Sequence, residues 1–278
     1  MTPHEREAWL AWRRGGIGAS DVPALLGTSP WQTEWDVWAS KAHGADRAEE
    51  PELALGRALE PAILAWAADE LGASLLPGSR LESGILRGTT DGAMLIDGAP
   101  IGIEAKSARY PTEAWGLAPD GAVPDGYRDQ VLTYCELTGS PGWFLAVWFT
   151  GNYERRLYWI PADPERQRVI RATAEAWHEL HVVGGEMPDP DASEACRRAL
   201  VERYARPRAT LREATDAEIR LALDFRAVQR AGDAIDADED RLRNELRAAI
   251  GPDEGIRWAT GRVTFHRPSG RITVRIRA

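Results

Sequence analysis

The chain contains few cysteines and no long apolar run. Its 278 residues include two cysteines, Cys135 and Cys196, which lack the close spacing of zinc or redox pairs. Neither a disulfide framework nor a zinc site is indicated, and core filling is their expected role. No apolar run approaches the roughly 18 residues of a membrane helix, and the charged N-terminus lacks the apolar centre of a signal peptide. We therefore expect a soluble, cytoplasmic protein that does not contact a membrane.

Lysine is also scarce. It occurs only at Lys41 and Lys106, and every other residue among the 34 Lys plus Arg is arginine. Where arginine is the default cation, a lysine suggests a need for a compact ammonium group whose pKa can be lowered. Lys106 lies just after an apolar segment that ends at Ile103, and Glu104 lies two residues before it, so a base and an acid stand close together in the chain.

The overall charge is acidic, with a formal net charge of −9 and a pI near 5.2. Such a chain does not coat nucleic acid by bulk charge, although local basic patches can still bind it. Residues 255–278 contain six arginines and no acid. This tail is either a contact surface for phosphates or a capping hairpin with solvated arginines.

A β-hairpin is predicted around Asp97-Gly98, because this dipeptide separates two short runs of strand-forming residues. The strands would cover 92–96 and 101–106. With a two-residue loop the partner opposite Asp91 is Glu104, and with a four-residue loop it is Lys106. In both registers the acidic residues and the lysine share one face of the hairpin.

Two carboxylates held together repel each other unless a cation lies between them. Carboxylate oxygens suit hard ions, so Mg²⁺ is the expected cofactor, with Mn²⁺ as a substitute. Lys106 would then orient or deprotonate a water molecule. The alternative is that Glu104 and Lys106 form an ordinary surface ion pair that contributes little to stability.

A second acidic candidate, Glu60, lies in the predicted helix 52–72. This helix is apolar on nearly all sides, so we expect it to be buried. A buried glutamate needs a partner, and a metal ion is one. The tryptophans Trp31, Trp35 and Trp38 mark one face of another predicted helix, for which core packing is expected.

The predicted order is helices, strands, helix, strands, helix, which indicates a mixed α/β core with a central sheet. Residues 1–185 form this domain. From residue 186 the composition changes, and prolines and acids mark a linker. Residues 186–278 are expected to form a C-terminal extension with helices at 193–205 and 212–250 and a basic hairpin with strands at 256–266 and 271–277.

Four ordered blocks resemble the YqaJ-like viral recombinases and phage lambda exonuclease, nucleases of the PD-(D/E)xK superfamily. The blocks are "WLAWRRGGIGAS" with the segment after it, "LGRALEPAI", "TTDG" with "IEAKS", and "DQVLTYCELTG". Any one of them is a weak signal, but their order and spacing together are specific. The resemblance covers residues 9 to about 182 and implies a restriction-endonuclease-like core with a central mixed sheet flanked by helices.

The resemblance also implies roles for individual residues at a metal centre. Asp91 and Glu104 would ligate the catalytic metal together with the backbone carbonyl of Ala105. Glu60 would reach the metal or its water. Lys106 would position the attacking water at a phosphodiester.

Further roles follow from the other motif positions. Gln130 would hold the nucleophile or the lysine. The family usually has a second glutamine two residues later, where this chain has Leu132, and Tyr134 is either its substitute or a core residue. Arg13 and Ser20 match the positions that bind the 5′-phosphate of the DNA end, a role that suits an arginine beside a hydroxyl at a helix N-terminus.

The function implied by the resemblance is a phage or prophage recombination exonuclease. It would degrade one strand of linear double-stranded DNA from the 5′ end and leave a 3′ single strand for an annealing protein. The family includes rings of three copies, so a homo-oligomer is expected. Two alternatives remain open: a structure- or site-specific endonuclease on the same fold, and a non-catalytic DNA-binding recombination module.

Overall fold

A computed structural model of the protein describes residues 3–44, 51–206, 211, 213–250, 252–269 and 271–276. The chain divides into two compact units, Met1–Arg206 and Pro207–Ala278. Among the described residues, no helix combines the length and the apolar character needed to span a bilayer.

Seven α-helices are described in the first unit. They are α1 (Pro3–Arg14), α2 (Val22–Leu25), α3 (Glu34–His43), α4 (Pro51–Leu71), α5 (Asp125–Thr138), α6 (Pro164–His178) and α7 (Glu194–Arg203). Local sequence explains several of their ends. A capping box formed by Thr33 and Asp36 starts α3, and the Asp163 carboxylate accepts the backbone N–H of Arg166 at the start of α6. A π-helical turn, Glu179–Val183, continues α6.

The strands of the first unit form two sheets. They are β1 (Ile17–Gly18), β2 (Ser74–Pro77), β3 (Arg80–Ser83), β4 (Leu86–Thr89), β5 (Gly92–Ile96), β6 (Ala99–Ala108), β7 (Gly142–Phe149) and β8 (Glu154–Pro161). The central sheet has the order β2-β5-β6-β7-β8, in which β6 and β7 pair parallel and the other neighbours pair antiparallel. A smaller sheet has the order β1-β4-β3.

Helices cover both faces of the central sheet. Along β7, Ala146 packs with α4, whereas its neighbours Leu145 and Val147 belong to the larger core that includes α2, α3, α5 and α6. This alternation is expected for a strand that is buried on both sides. The predicted mixed α/β core, with a central mixed sheet flanked by helices, is confirmed.

The hairpin of β5 and β6 has the two-residue loop. Ile96 pairs with Ala99, and the loop residues Asp97 and Gly98 have φ values of 49° and 81°. Positive φ at both positions is the conformation that an Asp-Gly pair favours in tight hairpins. The register runs to Gly92 opposite Ile103. It therefore places Asp91 next to Glu104 rather than next to Lys106.

Two burial predictions are wrong. Helix α4 is not buried on all sides, because Leu53 and Leu55 are 38% and 50% exposed and Glu60 is only half-buried. Its apolar residues exceed the number that one face of the sheet can cover. Trp35 and Trp38 are buried as predicted, but Trp31 precedes α3 and is 56% exposed. Cys135 and Cys196 are buried free thiols, so their predicted core role is confirmed.

The predicted boundary at residue 185 falls before α7. The structure groups this helix with the first unit, because Ala195 and Cys196 are buried in the larger core. The Ser193 hydroxyl caps the helix by accepting the backbone N–H of Cys196 at 3.0 Å.

The second unit contains the long helix α8 (Asp216–Ile250) and a three-stranded antiparallel sheet of β9 (Gly255–Trp258), β10 (Gly261–His266) and β11 (Arg271–Ile276). The single strand predicted for 256–266 is thus two strands, because the chain reverses at residues 259–260 without an Asn-Gly or Asp-Gly signal. Ile250 and Val263 are buried. The helix was predicted to begin at residue 212 and the last strand to end at residue 277, and both residues lie outside the described part of the chain.

Candidate active site

The centre of the candidate site is Glu104 on β6, which is 3% exposed. Its Oε1 accepts hydrogen bonds from Lys106 Nζ at 2.7 Å and from Gln130 Nε2 at 2.6 Å. Glu104 and Lys106 share a face of β6 because they are two residues apart, and α5 places Gln130 above them. The structure therefore brings together three of the residues singled out in the sequence, and the ion pair is not an ordinary exposed one.

Asp91 lies directly before β5 and completes the acidic pair. Its Oδ2 accepts the backbone N–H of Ala105 at 2.8 Å. Burial and the negative charge of Glu104 raise the pKa of Asp91 to about 8, although the hydrogen bond from Ala105 and the charge of Lys106 act in the other direction. Without a cation, the Asp91 carboxyl group is thus largely protonated at neutral pH.

Lys106 is a firmly protonated donor in this environment. Burial lowers its pKa, but the charge of Glu104 and the hydrogen bond to that carboxylate outweigh burial and raise the pKa above the ordinary value. Its Nζ also lies 5.6 Å from the centre of the Tyr127 ring. Of the two roles predicted for this lysine, orienting a water molecule fits the charge state better than deprotonating one.

Tyr134 supports Gln130 from behind. Its hydroxyl accepts a hydrogen bond from Gln130 Nε2 at 3.2 Å and donates to the Thr89 carbonyl at 3.1 Å. Gly88 makes room for the ring, since a Cβ there would lie 2.9 Å from Tyr134 Cε1. Leu132 is fully buried and has no polar atom in its side chain. Tyr134, rather than the residue at position 132, is therefore the second polar group of α5 at this site.

Glu60 on α4 is less tightly held than the other acidic residues. Burial and the charge of Glu104 raise its pKa, while Lys106 lowers it. Glu60 thus lies within electrostatic reach of the site. Among the described residues of the central cluster, none donates a hydrogen bond to its carboxylate.

Two features of the site fit a divalent cation. Oε2 of Glu104 is buried and has no hydrogen-bond partner among the described residues, and a cation would supply one. A cation would also neutralise the repulsion that raises the pKa of Asp91. Within the described residues there is no group of three or more His, Cys, Asp or Glu side chains arranged to hold a metal. Asp91, Glu104 and the carbonyl of Ala105 are the groups that could hold such a cation, since they offer oxygen atoms of the kind it prefers.

The raised pKa of Asp91 predicts how the metal-free protein responds to pH. Asp91 has a pKa of about 8 in the folded state against an ordinary value of 3.8. Between these values the folded state holds one more proton than the unfolded state, so this group's contribution to stability falls as pH rises from about 4 to 8. In EDTA, the melting temperature of the wild type should therefore fall relative to that of Asp91→Asn across this range. A difference between the two proteins that stays constant with pH would contradict the assignment.

A second polar cluster lies where α1 meets α2. Arg13 Nη2 donates to Ser20 Oγ at 3.1 Å and lies 3.3 Å from Asp21 Oδ1. The carboxylate of Asp21 also binds Lys41 Nζ at 2.6 Å. Burial acts to raise the pKa of Asp21, but the charges of Lys41 and Arg13 outweigh it and hold the pKa below its ordinary value.

The sequence motifs indicate Arg13 and Ser20 but not Asp21. They also indicate no function for Lys41. The signal that could have identified Lys41 is the scarcity of lysine, because both lysines of the chain form buried or half-buried ion pairs with carboxylates. Lys41 Nζ also donates to the backbone carbonyl of Arg13 at 3.0 Å. The buried pair therefore fixes the backbone that carries the Arg13 guanidinium.

These features define a mixed α/β protein with an acidic pair and a lysine at the edge of a hairpin, a site suited to a divalent cation. Comparison with known proteins agrees with this class. Residues 8–141 match the family model of the YqaJ-like viral recombinase domain. The resemblance inferred from the sequence motifs is thereby confirmed for this segment.

The chain is also similar to individual proteins. It is 30% identical over 212 residues to the uncharacterized protein YqaJ of Bacillus subtilis (strain 168), an alignment that covers 72% of this chain and 64% of that protein. LHK-Exo of Laribacter hongkongensis in complex with dAMP is 18% identical, with a TM-score of 0.49, over 72% of this chain and 98% of that one. A putative exonuclease from Eubacterium rectale is 12% identical, with a TM-score of 0.49, over 79% and 98% of the two chains.

Proposed function

We propose that the protein is a metal-dependent deoxyribonuclease that hydrolyses linear double-stranded DNA from the 5′ end and leaves 3′ single-stranded overhangs. The observation that carries the proposal is the arrangement at Glu104, where one carboxylate oxygen is held by Lys106 and Gln130 and the other is buried without a partner. The match to the YqaJ-like viral recombinase domain supports a nuclease in phage-type recombination.

The bound Mg²⁺, held by Asp91, Glu104 and the carbonyl of Ala105, would supply charge stabilisation at the phosphodiester and acidify a water molecule. The chain supplies the geometry. Gln130 fixes the Glu104 carboxylate, and the Ala105 N–H fixes that of Asp91. Lys106 can donate one hydrogen bond to Glu104 and still has further N–H donors with which to hold water against the phosphate.

Arg13 and Ser20 would bind the terminal 5′-phosphate. The Arg13 side chain is 37% exposed, and its guanidinium is held between Asp21 and the Ser20 hydroxyl. Its other N–H groups are suited to a phosphate, since arginine forms planar, charge-assisted hydrogen bonds with such anions. A pocket of this kind is useful to an enzyme that begins at a DNA end.

Arg13→Ala should therefore reduce the preference for 5′-phosphorylated over 5′-hydroxyl ends. A hydrogen bond to a charged group contributes about 1.5–3 kcal/mol, so the preference should fall on the order of 10- to 100-fold. Arg14→Ala is the matched control, because Arg14 is the next residue but lies near Gly44 rather than Ser20. The measurement is kcat/KM on the two substrates. An equal loss on both types of end would place Arg13 outside the phosphate pocket.

The experiment that tests the proposed function is a time course of DNA degradation in Mg²⁺. Three substrates are compared: a 5′-phosphorylated linear duplex, the same duplex with 5′-hydroxyl ends, and a closed circle. We expect progressive release of mononucleotides from the phosphorylated duplex and none from the circle. Cleavage of the circle would favour an endonuclease, and no cleavage of any substrate by folded protein would favour a non-catalytic DNA-binding module.

Two further parts of the proposal rest on the resemblance alone. A single-strand annealing protein would bind the 3′ overhang, and three copies of the chain would form a ring around the DNA.

The basic strands of the second unit carry Arg257, Arg262 and Arg275, and we propose them as an additional contact to phosphates.

A further inference from the structure

Trp31 is an exposed aromatic side chain close to the candidate active site. It is 56% exposed, and its ring centre lies 5.3 Å from that of Tyr127 at a tilt of 32°. Tyr127 in turn lies beneath Lys106 Nζ, at 5.6 Å. The Tyr127 ring therefore lies between the exposed ring of Trp31 and the ammonium group of Lys106.

The loop that carries Trp31 is held firmly. Ser29 Oγ accepts the backbone N–H groups of Trp31 and Gln32 at 3.3 and 3.1 Å. Thr28 Oγ1 donates to Asp129 Oδ2 on α5 at 2.7 Å. These bonds fix both the turn at Trp31 and the attachment of the loop to the helix that supplies Gln130.

Further contacts strengthen the attachment of this loop to α5. Arg166 binds both oxygens of the buried Asp129 carboxylate, each at 2.7 Å. Gly126 permits the close approach, since a Cβ there would lie 2.9 Å from the Thr28 carbonyl oxygen. Tyr127 is supported from its own side by the buried Trp115, whose ring centre is 5.5 Å away.

A single exposed apolar residue is ordinary on a protein surface. A tryptophan on a pinned loop differs, because little further ordering is needed when a flat ligand stacks on it. Nucleobases are such ligands, and every base has a π-face that an aromatic side chain can bind regardless of sequence. The open side of Trp31 is thus suited to an unpaired base near the phosphodiester that Lys106 would face.

We propose that Trp31 is a stacking platform for an unpaired nucleobase of the DNA strand bound at the active site. The inference deepens the proposed function and rests on it. The platform would contribute affinity for DNA ends without contacting a phosphate. Its contribution should therefore depend on the presence of the base and not on salt.

The test measures binding of a dye-labelled duplex with frayed 5′-phosphorylated ends by fluorescence anisotropy. The parent is Lys106→Ala, so that DNA is not degraded. In this background Trp31→Ala and Trp31→Leu should bind about 5- to 150-fold more weakly, the range of stacking on one base, whereas Trp31→Phe should retain most of the affinity. The slope of affinity against salt should be unchanged, because no phosphate contact is lost.

A second substrate with abasic sites at the frayed positions identifies the ligand. The parent should lose affinity for it, and the Leu variant should bind intact and abasic DNA equally. Tyr204→Ala, which removes a 62% exposed ring on another element, is the control and should bind like the parent.

Each contrary result has a distinct meaning. A Leu variant that binds intact DNA like the parent, or that still distinguishes intact from abasic DNA as the parent does, overturns the platform. That result leaves the nuclease proposal unaffected if the wild type releases nucleotides. A folded parent that binds no DNA end, together with a wild type that releases no nucleotides, overturns both proposals.

Discussion

Replacing Lys106 by alanine should reduce DNA cleavage about 100- to 10,000-fold while the protein remains folded and binds DNA ends. Positioned proton-transfer and water-orienting groups contribute about 10²- to 10⁴-fold to rate. Lys106 is the lysine whose Nζ reaches the acidic pair. Its loss also leaves Glu104 Oε1 with the hydrogen bond from Gln130, so the buried carboxylate keeps one partner. The measurement is kcat on a linear duplex together with the affinity for the same DNA.

Lys106→Arg is the matched variant for this prediction. It keeps the charge but replaces a compact ammonium group by a planar fork, and it should recover less than a tenth of the wild-type rate. Folding is checked by thermal unfolding. A folded Lys106→Ala protein that cleaves within tenfold of the wild type would contradict the proposed role, and loss of folding would make the lysine structural.

Replacing Lys41 by methionine should destabilise the fold strongly. The side chains of Lys41 and Asp21 are 1% and 4% exposed, and their ion pair is 2.6 Å long. Removal of one partner leaves a charge buried without full compensation, which typically costs about 3–5 kcal/mol. Asp21 keeps its contacts with Arg13 and the Gly18 N–H, so we expect the lower end of this range. The measurement is the free energy of unfolding in urea at pH 7.

The double variant Asp21→Asn, Lys41→Met separates the ion pair from general packing damage. It should recover a large part of the lost stability, because no buried charge is left without a partner and the Arg13 guanidinium that remains is 37% exposed to water. A double variant as unstable as the sum of the two single variants would show that the residues are not coupled. At temperatures where it is folded, Lys41→Met should also discriminate less between 5′-phosphorylated and 5′-hydroxyl ends, since the Arg13 carbonyl loses its donor.

The central part of the candidate site could be predicted because short-range rules determine it. Asp97-Gly98 specifies a two-residue hairpin loop, and the loop length sets the register that places Asp91 next to Glu104. The period of two along β6 then puts Lys106 on the same face. These relations follow from residues close together in the chain.

Other features depend on contacts between distant segments and were not predictable. Asp21 and Lys41 meet through the packing of α2 and α3, which no local pattern encodes. Trp31 shares a spacing with Trp35 and Trp38, but the helix starts at Glu34, so the shared spacing does not place Trp31 on the buried face.

The short strands and the extent of burial of α4 could not be predicted from the sequence either. The three strands β2, β3 and β4 have only four residues each, which is too short for a pattern of apolar and polar residues to identify a strand. For α4, composition indicates an apolar helix but not how much of it the sheet covers. Leu53 and Leu55 therefore remain exposed where burial was predicted.

DNA cleavage by this protein should require a divalent cation held by Asp91 and Glu104. The most direct measurement is the rate of nucleotide release from a 5′-phosphorylated linear duplex as Mg²⁺ is titrated, for the wild type and for Asp91→Asn. Asparagine keeps an acceptor for the Ala105 N–H but removes the charge. We predict Mg²⁺-dependent release by the wild type and none by the folded variant at any concentration. Release in EDTA, or equal release by the two proteins, would contradict a role for a cation held by these two carboxylates.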